Sequence, residues 1–181
     1  MITRRELQVA QKKAGEMIRQ ANILITNEEQ DRIQVADFGL SRPAKEGAQI
    51  LTFVETERIA VKVIVLFPYQ TLPEHWHPPV GDDPGKEETL RVIAGTLYFY
   101  IPGENTLQAG FIPDGKEHDY TVRHELIMQP ADQITVQPGT KHWFQAGGEG
   151  VVVYSFSTCA RDVLDGFTDP NIVRVTKVVD E

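Results

Sequence analysis

The sequence predicts a mainly β protein, one barrel of short antiparallel strands with a single α-helix at its N-terminus. Three observations carry that prediction. From about residue 50 onward, runs rich in Val, Ile, Phe, Tyr and Thr alternate with turn signals at near-regular spacing. No helical periodicity separates those runs, which argues a sandwich or barrel rather than a parallel α/β sheet. Apolar residues at spacings of three and four do occur in residues 3–20.

The helix has its own start signal. Thr3 and Glu6 stand at the capping-box spacing, in which each side chain satisfies a backbone N–H of the first turn. Leu7, Ala10, Ala14, Met17 and Ile18 then form one apolar face, which must cover the barrel or a partner subunit. Strands are predicted at 49–56, 58–68, 89–94, 96–101, 120–128, 133–136, 142–146 and 150–157. Turn signals between them include Pro102-Gly103, Pro113-Asp114-Gly115, Pro138-Gly139 and Gly147-Gly148. At 181 residues one domain is expected, with 1–34 as a helical segment packing on the barrel and 35–181 as the barrel with its C-terminal tail.

Composition removes several classes of partner. A formal net charge of -8 repels phosphate backbones, so no nucleic acid is expected to bind. No apolar run approaches the roughly 18–20 residues of a membrane span. The first twenty residues carry Arg4, Arg5, Lys12, Lys13 and Arg19 without an apolar core, unlike a secretory signal. Cys159 is the only cysteine, which excludes an internal disulfide and fits a reducing compartment, so a cytoplasmic location is expected.

The chemistry concentrates between Gln70 and Gly95. On a strand, side chains alternate faces, so His75 and His77 point one way and Trp76 the other. Two imidazoles on one face can chelate one metal ion. Glu88 follows on the next ordered segment, with Gly95 as a turn glycine, and Pro138-Gly139-Thr140-Lys141-His142 brings a third imidazole in after a tight turn. A lone His-x-His is most often a pair of hydrogen-bonded core residues. Here three of the five histidines fall on the pattern, and that is what lifts it. His118 and His124 lie outside and read as surface or polar-network residues.

The order His-x-His, then Glu with Gly seven positions on, then Gly-x-x-His resembles the two motifs of cupins, whose fold is a double-stranded β-helix or jelly-roll barrel. His75, His77, Glu88 and His142 would then be the metal ligands, three neutral nitrogens and one carboxylate with positions left open. Ten residues separate His77 from Glu88, so 78–87 must loop out and return. That insertion is itself informative. Val35-Ala36-Asp37-Phe38-Gly39-Leu40, Gln70-Thr71 with Pro73-Glu74-His75 and His77-Pro78-Pro79, Gly85-Lys86-Glu87-Glu88-Thr89 and Phe167-Thr168-Asp169-Pro170 together resemble the D-lyxose isomerase family. The resemblance implies a homodimeric cupin that interconverts an unphosphorylated aldose and ketose, D-lyxose with D-xylulose and D-mannose with D-fructose. It implies manganese as the divalent ion, with Co2+, Fe2+, Ni2+ and Zn2+ as alternatives, and an active-site lysine at Lys62. One departure stands out: Ser155 occupies a position where related sequences carry a glutamate suited to proton transfer.

Other residues have weaker claims. A strand lysine usually faces solvent, so Lys62 rests on the resemblance. Lys86 precedes Glu88 by two and would share its face as a substrate-hydroxyl contact. Glu74 and Glu87 sit at odd offsets and should point away from the metal. Asp162, Asp165 and Asp169 become available only if the tail folds over the barrel mouth, and Phe144 and Tyr98 are candidate pocket walls. Two other functions share the same shell, an Fe(II) cupin dioxygenase and a non-catalytic sugar-binding cupin. A sugar-phosphate isomerase would need clustered Arg or Lys, and the linear sequence shows no such cluster.

Overall fold

The computed structural model describes residues 1–180; the last residue of the expected barrel segment lies outside them. In chain order the elements are β1 (Ile2–Thr3), α1 (Arg4–Gln20), α2 (Asn27–Asp31), β2 (Gln34–Ala36), β3 (Ala48–Glu55), β4 (Ile59–Leu66) and β5 (Thr71–Trp76). They continue with β6 (Glu88–Ile101), β7 (His124–Met128), β8 (Gln133–Val136), β9 (His142–Thr158), β10 (Gly166–Phe167) and β11 (Val178–Val179), with a 3-10 turn at Asp162–Leu164. One sheet runs β10-β5-β9-β4-β3-β2, and β6 joins it by pairing with β7, β8 and β9. This mainly β, curled sheet with one long N-terminal helix is the cupin barrel expected from the motifs.

The capping box at Thr3 and Glu6 is formed, and such a cap contributes about 1 kcal/mol to a helix. A second box, Thr26 with Glu29, starts the short α2 and was not among the expectations. Ala14 and Ile18 of α1 pack with Ile23 and Ile33 against Leu51, Val63, Val65 and Val152 on the outer face of the sheet. The inner face is a separate core that includes Ile50, Ile64, Leu66, Leu90, Val92, Phe144 and Val153. The helix therefore meets its apolar requirement within the chain.

Two predicted breaks are absent. Residues 89–94 and 96–101 form one strand, β6, and 142–146 joins 150–157 as β9. Gly95 is not a turn glycine: it has φ +81° inside β6, where the register to β9 shifts. A bulge of this kind bends a strand without ending it. A Cβ at Gly95 would lie 2.1 Å from the carbonyl oxygen of Gly150, so the two strands close up only over glycine. Gly147 and Gly148 likewise lie inside β9. The strand predicted at 120–128 begins only at His124. The 78–87 insertion does loop out, and the tail does wrap the barrel, through Phe167 against His75 and Val178 against Ile2.

Candidate metal centre and its cation cluster

Strand pairing brings the histidines together. His75 on β5 is the cross-strand partner of His142 at the start of β9, and their ring centroids are 4.2 Å apart. His77 follows the end of β5; its carbonyl accepts a hydrogen bond from Gly139 N at 2.9 Å, which ties it to the turn before His142. Glu88 opens β6 facing the same space. One ligand atom from each of these four buried residues lies within 4.8 Å of the others.

The ring orientations are set from behind. Nδ1 of His75 lies 2.9 Å from the carbonyl of Pro73, Nδ1 of His142 lies 2.9 Å from the carbonyl of Thr140, and Nδ1 of His77 lies 2.8 Å from Asp165 Oδ1. Such partners make Nδ1 the protonated nitrogen and aim Nε2 inward. Nε2 of His142 is buried with no hydrogen-bond partner, a costly state that a cation in the centre relieves. Burial pushes the His75 imidazole well below its ordinary pKa and holds that of His142 at about 4, with the neighbouring imidazoles adding to both shifts. Both are neutral, as metal binding requires. Burial also disfavours charge on His77, but hydrogen bonds to Asp165 and Glu88 raise its pKa. Burial works against ionised Glu88 too; the Lys86 charge and hydrogen bonds from His77 and Ser155 outweigh it and keep the carboxyl well below its usual range.

Above this centre is a cavity of about 40 Å3, walled by Phe38, Ile50, Ile64, Leu72, Phe144 and Phe167. Lys62 faces into it rather than toward solvent, and Lys86 shares the face of Glu88 with Nζ 3.5 Å from Oε2, as the spacing predicts. Asp162 accepts from Lys62 Nζ at 2.5 Å and from Lys86 Nζ at 3.2 Å, and Arg174 reaches it at 3.4 Å. Burial would raise the Asp162 carboxyl, yet the charges of Lys86 and Lys62, the hydrogen bond from Lys62 and Arg174 bring it down to about 2. The expected absence of clustered cations is therefore wrong: Lys62, Lys86 and Arg174 come from three distant segments.

Ser155 is buried opposite Lys62 in the β4–β9 register and donates its hydroxyl hydrogen to Glu88. Glu74 points away and is held by Thr121, Val122 and Thr168, while Glu87 is exposed, both as predicted. Asp169 pairs with Lys116 instead of entering the cavity. Tyr98 packs beside Tyr100 and Trp143 and is no wall of the pocket, whereas Phe144 is. Arg174, Phe38 and Phe167 were not singled out as site residues from the sequence; their role depends on how the tail and the 37–40 turn fold.

The chain matches the D-lyxose isomerase family model over residues 30–181. It belongs to the D-lyxose isomerase family. Over 172 residues, 94% of this chain and 94% of the relative, it is 47% identical to a D-lyxose ketol-isomerase of Cohnella laeviribosi. To a D-lyxose/D-mannose isomerase of Thermosediminibacter oceani it is 46% identical over 181 residues, covering 99% and 100% of the two chains. Among solved structures, the unliganded L-ribose isomerase of Cellulomonas parahominis superposes with a TM-score of 0.80 at 15% identity, covering 98% of both chains. A variant of the Acinetobacter sp. DL28 L-ribose isomerase in complex with L-ribose gives 0.81 at 14% identity, also over 98% of both. At that identity the likeness shows that this member of the D-lyxose isomerase family shares its fold with those isomerases.

Proposed function

We propose that this chain is a metal-dependent isomerase of unphosphorylated sugars, interconverting D-lyxose with D-xylulose and D-mannose with D-fructose. The convergence of His75, His77, Glu88 and His142 beneath Lys62 and Lys86 supports this most, in a chain nearly half identical to proteins named for D-lyxose and D-mannose. The donor set fits one divalent ion, because three inward Nε2 atoms and an ionised carboxylate match the mixed N/O preference of such metals, and Nε2 of His142 has no other partner. We assign those four residues as ligands and Mn2+ as the ion, with Co2+, Fe2+, Ni2+ and Zn2+ as competitors for the same shell. A bound divalent ion supplies Lewis-acid polarisation of a sugar carbonyl.

The chain's own residues supply the rest. Isomerisation removes a proton from one sugar oxygen and adds one to its neighbour while hydrogen moves between the adjacent carbons. Lys62 Nζ, inside the cavity on β4, is the acid–base group we assign to the oxygens; Lys86 Nζ donates to a sugar hydroxyl and stays charged, since Glu88 and Asp162 raise its pKa against the effect of burial. Ser155 has no base to offer, because its hydroxyl is committed to Glu88. Asp162, at about 2, is too weak a base to take a proton from carbon while the three cations hold it. Phe38, Ile50, Ile64, Leu72, Phe144 and Phe167 give the cavity an apolar side against which the sugar carbons can pack.

Manganese-loaded protein should form D-xylulose from D-lyxose and D-fructose from D-mannose without consuming oxygen. Iron-dependent oxygen uptake with no ketose formed would overturn this in favour of an oxygenase. We further assign the chain as a cytoplasmic homodimer. The single cysteine supports the compartment. The family resemblance alone supports the dimer, because α1 buries its apolar face within the chain and needs no partner for it. Light scattering should give about twice the 20.4 kDa chain mass; a mass that stays at one chain across micromolar concentrations counts against it.

A further inference from the structure

A neutral sugar does not explain why three cations close on one point. Lys62 comes from β4, Lys86 from the segment before β6 and Arg174 from the C-terminal tail, and all three meet at the carboxylate of Asp162. Cations converging from several directions are what recognises a phosphate or carboxylate. Here the acceptor positions of such an anion are taken by Asp162 Oδ1 and Oδ2. Val163, its neighbour on the 3-10 turn, is 69% exposed, so polar contacts hold the turn over the site: Asp162 on the three cations, Asp165 on His77 and Arg161 on Asp83.

Position adds a second observation. Lys62, Asp162 and Arg174 line the inner cavity of about 40 Å3 and also an outer pocket of about 240 Å3. The Asp162 carboxylate therefore stands in the partition between solvent and the cavity. A sugar carrying a phosphate or carboxylate would have to bring its charge past this group, toward cations already neutralised. Asp162 is the carboxylate partner of Lys62 and Arg174, and Lys86 shares it with Glu88, which is assigned to the metal. Removing the Asp162 charge leaves Lys62 and Arg174 without that partner in a mostly buried site.

We propose that Asp162 is a built-in anion occupying an oxyanion-binding site formed by Lys62, Lys86 and Arg174, and that it thereby selects neutral sugars over phosphorylated or carboxylated ones. The selectivity half rests on the sugar-isomerase reading; the anion site does not. Vacating the site should turn a rejected class of ligand into a bound one.

The test uses manganese-loaded wild type, Asp162→Asn and Asp162→Ser, titrated calorimetrically and by thermal melting with inorganic phosphate and then with D-glucuronate. Both variants should bind each anion at least about tenfold more tightly than wild type, because a like charge at contact distance is gone. Adding Lys86→Met to either variant should return the affinity to the wild-type level, which separates the cation site from phosphate taken up by the metal. Folded variants that bind phosphate no better than wild type, or a gain that survives Lys86→Met, overturn the proposal. A variant that folds only with phosphate present supports it; failure of both to fold even with phosphate overturns it. No sugar turnover enters the readout, so the anion site can fail while the isomerase reading stands, and the reverse.

Discussion

His142→Ala is expected to lower manganese affinity by at least about 10²-fold and to abolish ketose formation at micromolar metal. The loss of an outer hydrogen-bond partner alone costs about 10–100-fold, and His142 is assigned as a ligand, wholly buried with Nε2 unpartnered. Asp165→Asn is the graded companion. It keeps the size of the side chain but removes the charge behind His77 Nδ1, so affinity should fall within that 10–100-fold range while the fold persists. The pH dependence has a definite sign. Protonated imidazole cannot ligate, and His77 has the raised pKa of the three. Affinity should therefore decline as pH falls below neutrality, His77 titrating first, with His142, held at about 4, and His75 protonating only in stronger acid. Isothermal titration with manganese across pH reads all three effects. Wild-type affinity in His142→Ala, or affinity that rises in acid, would remove these residues from the metal shell.

The four candidate ligands could be picked from the sequence by motif spacing: His75 and His77 two apart, Glu88 with Gly95 seven positions on, and His142 three positions after Gly139. The helix was legible for the same reason, its cap and stripe lying within 3–20. What failed was continuity. Gly95 and Gly147-Gly148 look like turns, since glycine is the usual turn residue, but in a tightly curved barrel it also permits bulges and close strand approach. Only the pairing of Gly95 with Val151 shows which applies. The inward direction of Lys62 was hidden differently. β4 reads Ile-Ala-Val-Lys-Val-Ile-Val-Leu because α1 covers its outer face, so both faces are apolar and the alternation vanishes. Its parity with Ile64 and Leu66, which lie in the inner core, settles the side. Asp162, Asp165 and Arg174 depend on the return of the tail over the mouth, a contact between segments about 80–100 residues from β4 and β5 that no local pattern encodes.

Lys62→Met should lower isomerase turnover by about 10²–10⁴-fold, the usual worth of a positioned acid–base group, with manganese affinity within a small factor of wild type. Methionine keeps much of the unbranched stem, so the change isolates the ammonium head. That head is one of three cations on Asp162, and its loss frees part of the carboxylate rather than emptying the cavity. Because Lys62 does not touch any of the four assigned ligands directly, the metal shell should not notice. A merely structural role would show itself otherwise, as a lower melting temperature together with a proportionate fall in bound metal and activity. Lys62→Arg separates charge from acid–base action: guanidinium holds an anion but does not release a proton at working pH. The arginine variant should therefore keep KM for D-lyxose closer to wild type than the methionine variant does, while its kcat stays low. If Lys62→Met turns over D-lyxose at the wild-type rate, Lys62 serves only to anchor Asp162, and the proton moves between the sugar oxygens without it.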